Sequence, residues 1–100
     1  MKILVVEDDP SVRTLVKAVL EHNGNSVLTA ETAKDGQALA TGEKFEMIVL
    51  DLGLPDGDGY EVCKYIRDEG VTTPVLILSG EQERAVSQNG SHPKTNRIIR

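Results

Sequence analysis

Aliphatic residues along this chain fall into short continuous runs, separated by longer stretches in which they recur every three or four positions. Residues 3–6, 47–50 and 75–78 are runs of β-branched and aliphatic side chains bounded by turn formers, the middle strand being expected from Phe45 to Leu50. Such runs predict strands buried on both faces. Residues 26–30 predict a shorter, less apolar strand. Val12, Leu15, Val16, Val19 and Leu20 keep helical spacing and predict a helix with one apolar stripe. Asp9 is placed to cap it, Pro10 suits its first position, and Asn23-Gly24 stops it. A weaker helix opens near Thr32, carries Ala33, Ala38, Leu39 and Ala40, and ends by Gly42. A third starts from the capping-box pair Asp58 and Glu61, turns Val62, Cys63 and Ile66 inward, and runs to about Arg67 before Gly70 ends it.

Strands alternating with helices at this spacing predict right-handed βαβ units, and so an α/β fold with a doubly wound parallel sheet. Beyond Gly80 the chain turns polar. A short helix over 81–88 is the one element suggested there, and Ile98-Ile99 is too brief to assign as a strand. A fifth strand and helix are therefore expected to be missing or degenerate, leaving the fourth strand as an unpaired edge and aliphatic side chains bare beside the first helix. Self-association through that face or edge follows as an expectation.

In parallel sheets ligands bind at the strand carboxyl ends. Here the first strand ends in Glu7, Asp8 and Asp9, the third in Asp51, and the fourth in Ser79. Two like charges roughly 4 Å apart repel by about 4 kcal/mol even at an effective dielectric of about 20. Compensation comes from protonation of one carboxyl group or from a bound hard cation, and an all-oxygen site with few protein ligands suits Mg²⁺. One carboxylate would then remain to attack a phosphoryl donor in line.

Composition narrows the setting. One hundred residues, 39% of them hydrophobic, suit a single domain spanning 1–100. A net charge of −5 without a basic cluster argues against nucleic acid as a direct ligand. No stretch resembles a signal peptide or a membrane span. Cys63 is the only cysteine, which excludes an internal disulfide and fits a reduced, cytoplasmic location.

Three strings carry a family likeness: "ILVVEDDPSVR", "MIVLDLGLPDGDGYEV" and "PVLILSG". In this order and spacing they resemble the first strand and acidic pair, the phosphoacceptor strand and loop, and the fourth strand of the CheY-like response-regulator receiver domains of two-component signalling. The resemblance covers residues 1–80. It implies a flavodoxin-like sheet and a signalling domain, not an enzyme, that accepts a phosphoryl group from a histidine kinase or phosphotransfer protein in a Mg²⁺-dependent phosphorelay. By position, Asp51 would be the phosphoacceptor and, with Glu7 and Asp8, part of the Mg²⁺ site, with Asp8 a direct ligand, Glu7 acting on the metal mainly through water, and Gly53 offering its backbone carbonyl to the same ion. Ser79 would hydrogen-bond the phosphoryl group, while Pro55 and Gly59 shape the loop. The family's lysine before a proline has no match, since Lys94 follows Pro93. A degenerate receiver serving as an interaction module, or a fragment of a longer regulator, is the alternative reading.

Other chemistries fit less well. Asp56 and Asp58 miss the spacing of a calcium-binding EF-hand and read as turn and capping residues. Gly53 stands where a dehalogenase-type phosphatase needs a second aspartate. His22 and His92 have no triad or metal partners in the sequence, Cys63 reads as a core residue, and Tyr60 and Tyr65 as partly exposed helix residues.

Overall fold

The computed structural model describes residues 1–78 and the backbone of residues 96–99. In chain order the elements are β1 (Lys2–Val6), α1 (Pro10–His22), β2 (Ser26–Ala30), α2 (Ala33–Gly42), β3 (Met47–Asp51), the two-residue strands β4 (Gly53–Leu54) and β5 (Gly57–Asp58), α3 (Gly59–Asp68), β6 (Val75–Leu78) and β7 (Asn96–Ile99). The main sheet has the order β2-β1-β3-β6-β7, with its first four strands parallel and β7 antiparallel to β6.

The helix boundaries have local causes. Asp9 caps α1 by accepting from the Ser11 and Val12 amides at 2.8 and 3.2 Å, with Pro10 at the first position. Asp58 and Glu61 form the expected capping box on α3. Gly24 and Gly70, at φ near +88° and +89°, supply the left-handed residue after α1 and α3 that a side chain would oppose.

Side chains alternate across the strands. Leu4, Val6, Ile48, Leu50, Val75 and Ile77 face the larger core, closed by Ala33 and Ala40 of α2 and Val62, Cys63 and Ile66 of α3. Ile3, Val5, Val27 and Val49 face the other side, where Val16 and Leu20 of α1 pack. Tyr60 and Tyr65 are partly exposed and Cys63 is buried, as expected.

Three expectations are corrected. β6 is not an unpaired edge, because β7 pairs with it along its full length, from Val75 opposite Ile99 to Leu78 opposite Asn96. A four-residue strand suffices here because it adds to an existing sheet. Nor are the strands bare beside α1, since Ile3, Val5 and Val49 are buried and Leu76 and Leu78 are partly covered. The exposed apolar surface lies on the helix itself, where Leu15 and Val19 are 63% and 51% exposed and Val12 also faces solvent. The five-residue stripe of α1 is wider than the face it packs. The expected helix over 81–88 lies outside the described residues.

Because Ile66 is fully buried and Leu15 is not, they should respond differently to truncation. Chemical denaturation should show a loss of about 2–5 kcal/mol for Ile66→Ala and a change within about 0.5 kcal/mol for Leu15→Ala. Equal losses would mean that α1 is packed on its outer side as well.

Candidate functional site

Strand register assembles the site. Val6 pairs with Ala30 on one side and Leu50 on the other, so the next residues along, Glu7 and Asp51, come level at the carboxyl end of the sheet. The Glu7 amide extends the ladder by donating to the Ala30 carbonyl at 2.9 Å. Asp51 is the last residue of β3 and pairs with Leu78, the residue before Ser79. Ser79 itself, with His92, Pro93 and Lys94, lies outside the described residues.

Glu7, Asp8 and Asp51 each present a carboxylate oxygen, and the three lie within 4.8 Å of one another. Glu7 and Asp51 are each only 6% exposed, whereas Asp8 is open to solvent. Asp9 does not join them, because its side chain caps α1; its amide donates to Glu7 Oε2 at 3.1 Å. Gly53 opens β4 two residues past Asp51, and its amide donates to Asp51 Oδ1 at 3.3 Å. Gly59 closes the loop where a Cβ would stand 2.7 Å from the Asp51 carbonyl oxygen, so the start of α3 approaches the end of β3 more tightly than any side chain permits.

Burial pushes the Glu7 carboxyl up to about 7, with the Asp51 charge adding to the rise and the Asp9 amide opposing it. Burial likewise raises Asp51, opposed by the Gly53 amide and by a hydrogen bond with Glu7. Both carboxyl groups are thus pushed toward the protonated form when no cation is present, Glu7 to about 7. A set of crowded hard oxygens, two of them desolvated, fits a small divalent cation such as Mg²⁺.

Two supporting residues escape a sequence reading. The Arg13 guanidinium donates to the carbonyls of Glu7 at 3.0 Å and Asp8 at 3.3 Å, and sits 3.7 Å from Glu31. Asp56, expected to act in turn chemistry and capping, caps a helix distant in sequence: it accepts from the Ala33 amide at 2.6 Å and the Lys34 amide at 3.0 Å, at the start of α2. The two amides stabilise the ionised carboxylate and hold its pKa below the ordinary carboxylate value. Spacing carries no signal for either contact, since partners six and 22–23 residues away are fixed only by the folded chain.

Among the described residues, no helix is long and apolar enough to cross a membrane.

A carboxyl group that stays protonated up to about pH 7 in the folded state, but ionises near 4.5 when unfolded, binds the excess proton only when folded. Stability gained from that proton is complete below about 4.5 and is lost as pH rises to about 7. Melting temperature in chelator should therefore fall between about pH 5 and about pH 8, and Mg²⁺, competing with the proton, should raise it more at the upper end. Glu7→Gln should flatten the slope, and Asp8→Asn should shrink the Mg²⁺ effect; a Mg²⁺ effect unchanged by Asp8→Asn would move the cation elsewhere.

Comparison with known proteins agrees with this geometry. The response regulator receiver domain family matches residues 3–99. The alkaline phosphatase synthesis transcriptional regulatory protein PhoP of Bacillus subtilis is 43% identical over 82 residues, which is 82% of this chain and 34% of that protein. The chain spans about a third of the length of such curated relatives. Among solved structures, the receiver domain of Francisella response regulator 1452 superposes with a TM-score of 0.77 at 30% identity, covering 89% of this chain and 74% of that one. TrrA of Thermotoga maritima, also 30% identical, was solved in complex with Mg²⁺-BeF (TM-score 0.71, 74% of this chain, 64% of that one). It was also solved with the histidine kinase ThkA (TM-score 0.71, 29% identity, 76% and 66% coverage). With its parallel sheet, its acidic cluster at the strand ends and these matches, the chain belongs to the response regulator receiver domain family and is a signalling domain of two-component systems.

Proposed function

We propose that Asp51 is the phosphoacceptor of a Mg²⁺-dependent phosphorelay, and that a histidine kinase or phosphotransfer protein in the cytoplasm is the donor. The observation that carries this is the pairing of a buried, desolvated Asp51 with two further carboxylates at the end of the sheet. An Asp51 carboxylate oxygen forms the new bond to phosphorus as the bond from phosphorus to the donor imidazole nitrogen breaks. The imidazole leaves with the electron pair. A Mg²⁺ ion held among Glu7, Asp8 and Asp51 would neutralise the phosphoryl oxygens and let the carboxylates coexist ionised. Asp8, the solvent-open member, is assigned as its direct ligand, the Gly53 carbonyl as a second, and Glu7 as a group acting mainly through water. The Gly53 amide holds Asp51 in place. Ser79 is assigned to receive the phosphoryl group by hydrogen bond. The TrrA structures with Mg²⁺-BeF and with ThkA support the metal and the class of donor by likeness.

A second property rests on α1. Val12, Leu15 and Val19, at positions i, i+3 and i+7, form an exposed apolar ridge, while Val16 and Leu20 pack inward. We propose that two copies associate by packing this ridge against itself about a two-fold axis.

Intact-mass measurement after incubation with acetyl phosphate should show one phosphoryl addition with Mg²⁺, little without it, and none in Asp51→Asn. Addition that persists in Asp51→Asn would refute the acceptor assignment; binding to a kinase without any addition would favour a degenerate docking module. For the ridge, sedimentation at tens of micromolar should give a mass above the 10.9 kDa monomer that Leu15→Glu abolishes. A strictly monomeric wild type would rule the ridge out as a contact.

A further inference from the structure

With the Gly53 carbonyl taken as a cation ligand, the loop between β3 and α3 has to keep Gly53 beside Asp51, and several of its hydrogen bonds are internal. β4 and β5 pair only with each other, through Gly53 with Asp58 and Leu54 with Gly57. The Gly59 amide returns to the Leu52 carbonyl at 3.2 Å, and Asp58 caps α3. At its base the loop is tied to the sheet by the Leu52 amide, which donates to the Leu78 carbonyl at 3.3 Å. At its tip the tie to another element is Asp56.

That tie completes the start of α2. A helix begins with four amides that have no partner within it. Here Gly36 donates to the Thr32 carbonyl at 2.9 Å and Asp35 to the Thr32 hydroxyl at 3.1 Å. The remaining two, Ala33 and Lys34, both donate to the Asp56 carboxylate. The helix dipole favours an anion at this position, and the Lys34 charge adds to it. The tip is also in close contact, since a Cβ on Gly57 would stand 3.2 Å from the Ala33 Cβ. Removing Asp56 would leave two amides of α2 to water and release the tip of a loop whose base carries Gly53, with its amide on Asp51.

We propose that Asp56 is a positioning residue for phosphoryl acceptance, clamping the acceptor loop onto the N-terminus of α2 so that Gly53 is held at the cation site. The proposal rests on Asp51 being the acceptor and Gly53 a metal ligand.

The test is Mg²⁺ affinity by titration calorimetry, paired with the rate of phosphoryl addition from acetyl phosphate by intact mass. Asp56→Ala should weaken Mg²⁺ binding roughly tenfold, at the low end of what loss of a group orienting a metal ligand does, and slow addition to a similar degree. Asp56→Asn keeps one carbonyl acceptor and should recover part of both. Thr73→Val, which removes the bond from the Thr73 hydroxyl to the Phe45 carbonyl at the far end of the sheet, is the control: it should lower melting temperature without changing Mg²⁺ affinity. Should Asp56→Ala fold poorly, Ala33→Pro removes one donor from the other side of the clamp. Proline is favoured at that first helical position, and the extended Thr32 before it is compatible. Ala33→Pro is likewise expected to weaken Mg²⁺ binding. Wild-type Mg²⁺ affinity in Asp56→Ala or Ala33→Pro, with melting temperature reduced, would overturn the clamp and leave Asp56 a plain helix cap. If the wild-type protein neither binds Mg²⁺ more tightly than Asp51→Asn nor gains a phosphoryl group, the acceptor reading falls and the clamp with it.

Discussion

Parallel register is the constraint on which the rest of this domain depends. Once Val6 is level with Leu50, Glu7 and Asp51 must come side by side, and both are taken out of water. At an effective dielectric of about 20, a pair of like charges at roughly 4 Å costs about 4 kcal/mol, a large share of the stability of a domain this small. The chain meets that cost partly with a proton on Glu7, held by burial, and partly with amides, from Asp9 onto Glu7 and from Gly53 onto Asp51. A cation removes the need for the proton. The same crowding that disfavours the fully ionised cluster is what makes its oxygen donors fit a hard divalent ion, and the buried strands on both sides keep the carboxylates from relaxing apart.

Much of this was legible because its causes are local. The runs 26–30 and 75–78 matched β2 and β6 to the residue, since a short aliphatic run bounded by turn formers has few alternatives. Capping worked equally well: Asp9 with Pro10, Thr32, and the pair Asp58 and Glu61 each act within three residues of themselves. The acidic pair and Asp51 could be joined across more than forty positions only because strand carboxyl ends in a parallel sheet converge, so the fold class supplied what spacing could not.

What escaped was non-local. β7 is four residues long and pairs antiparallel, so neither the βαβ rhythm nor its own composition announced it. Periodicity found the apolar stripe of α1 but says nothing about how much of a stripe the sheet can cover, and Leu15 and Val19 remained outside. Asp56 reads as a turn residue in Pro-Asp-Gly because its actual partners, the Ala33 and Lys34 amides, are 22–23 residues upstream.

The two residues missed in the sequence bear on the same few positions. Arg13 reaches back to the carbonyls of Glu7 and Asp8 and across to Glu31, while Asp56 reaches to Ala33 and Lys34. Both halves of the acidic site, the acid loop after β1 and the acceptor loop after β3, are thus tied to residues 31–34, where β2 hands over to α2. The ties differ in strength. Glu31 is largely exposed, so its pairing with Arg13 at 3.7 Å contributes little, and Arg13 acts mainly through the two carbonyls. Asp56 makes two charge-assisted bonds to amides that a helix cannot satisfy internally. The start of α2 is therefore anchored more firmly to the acceptor loop than to the acid loop.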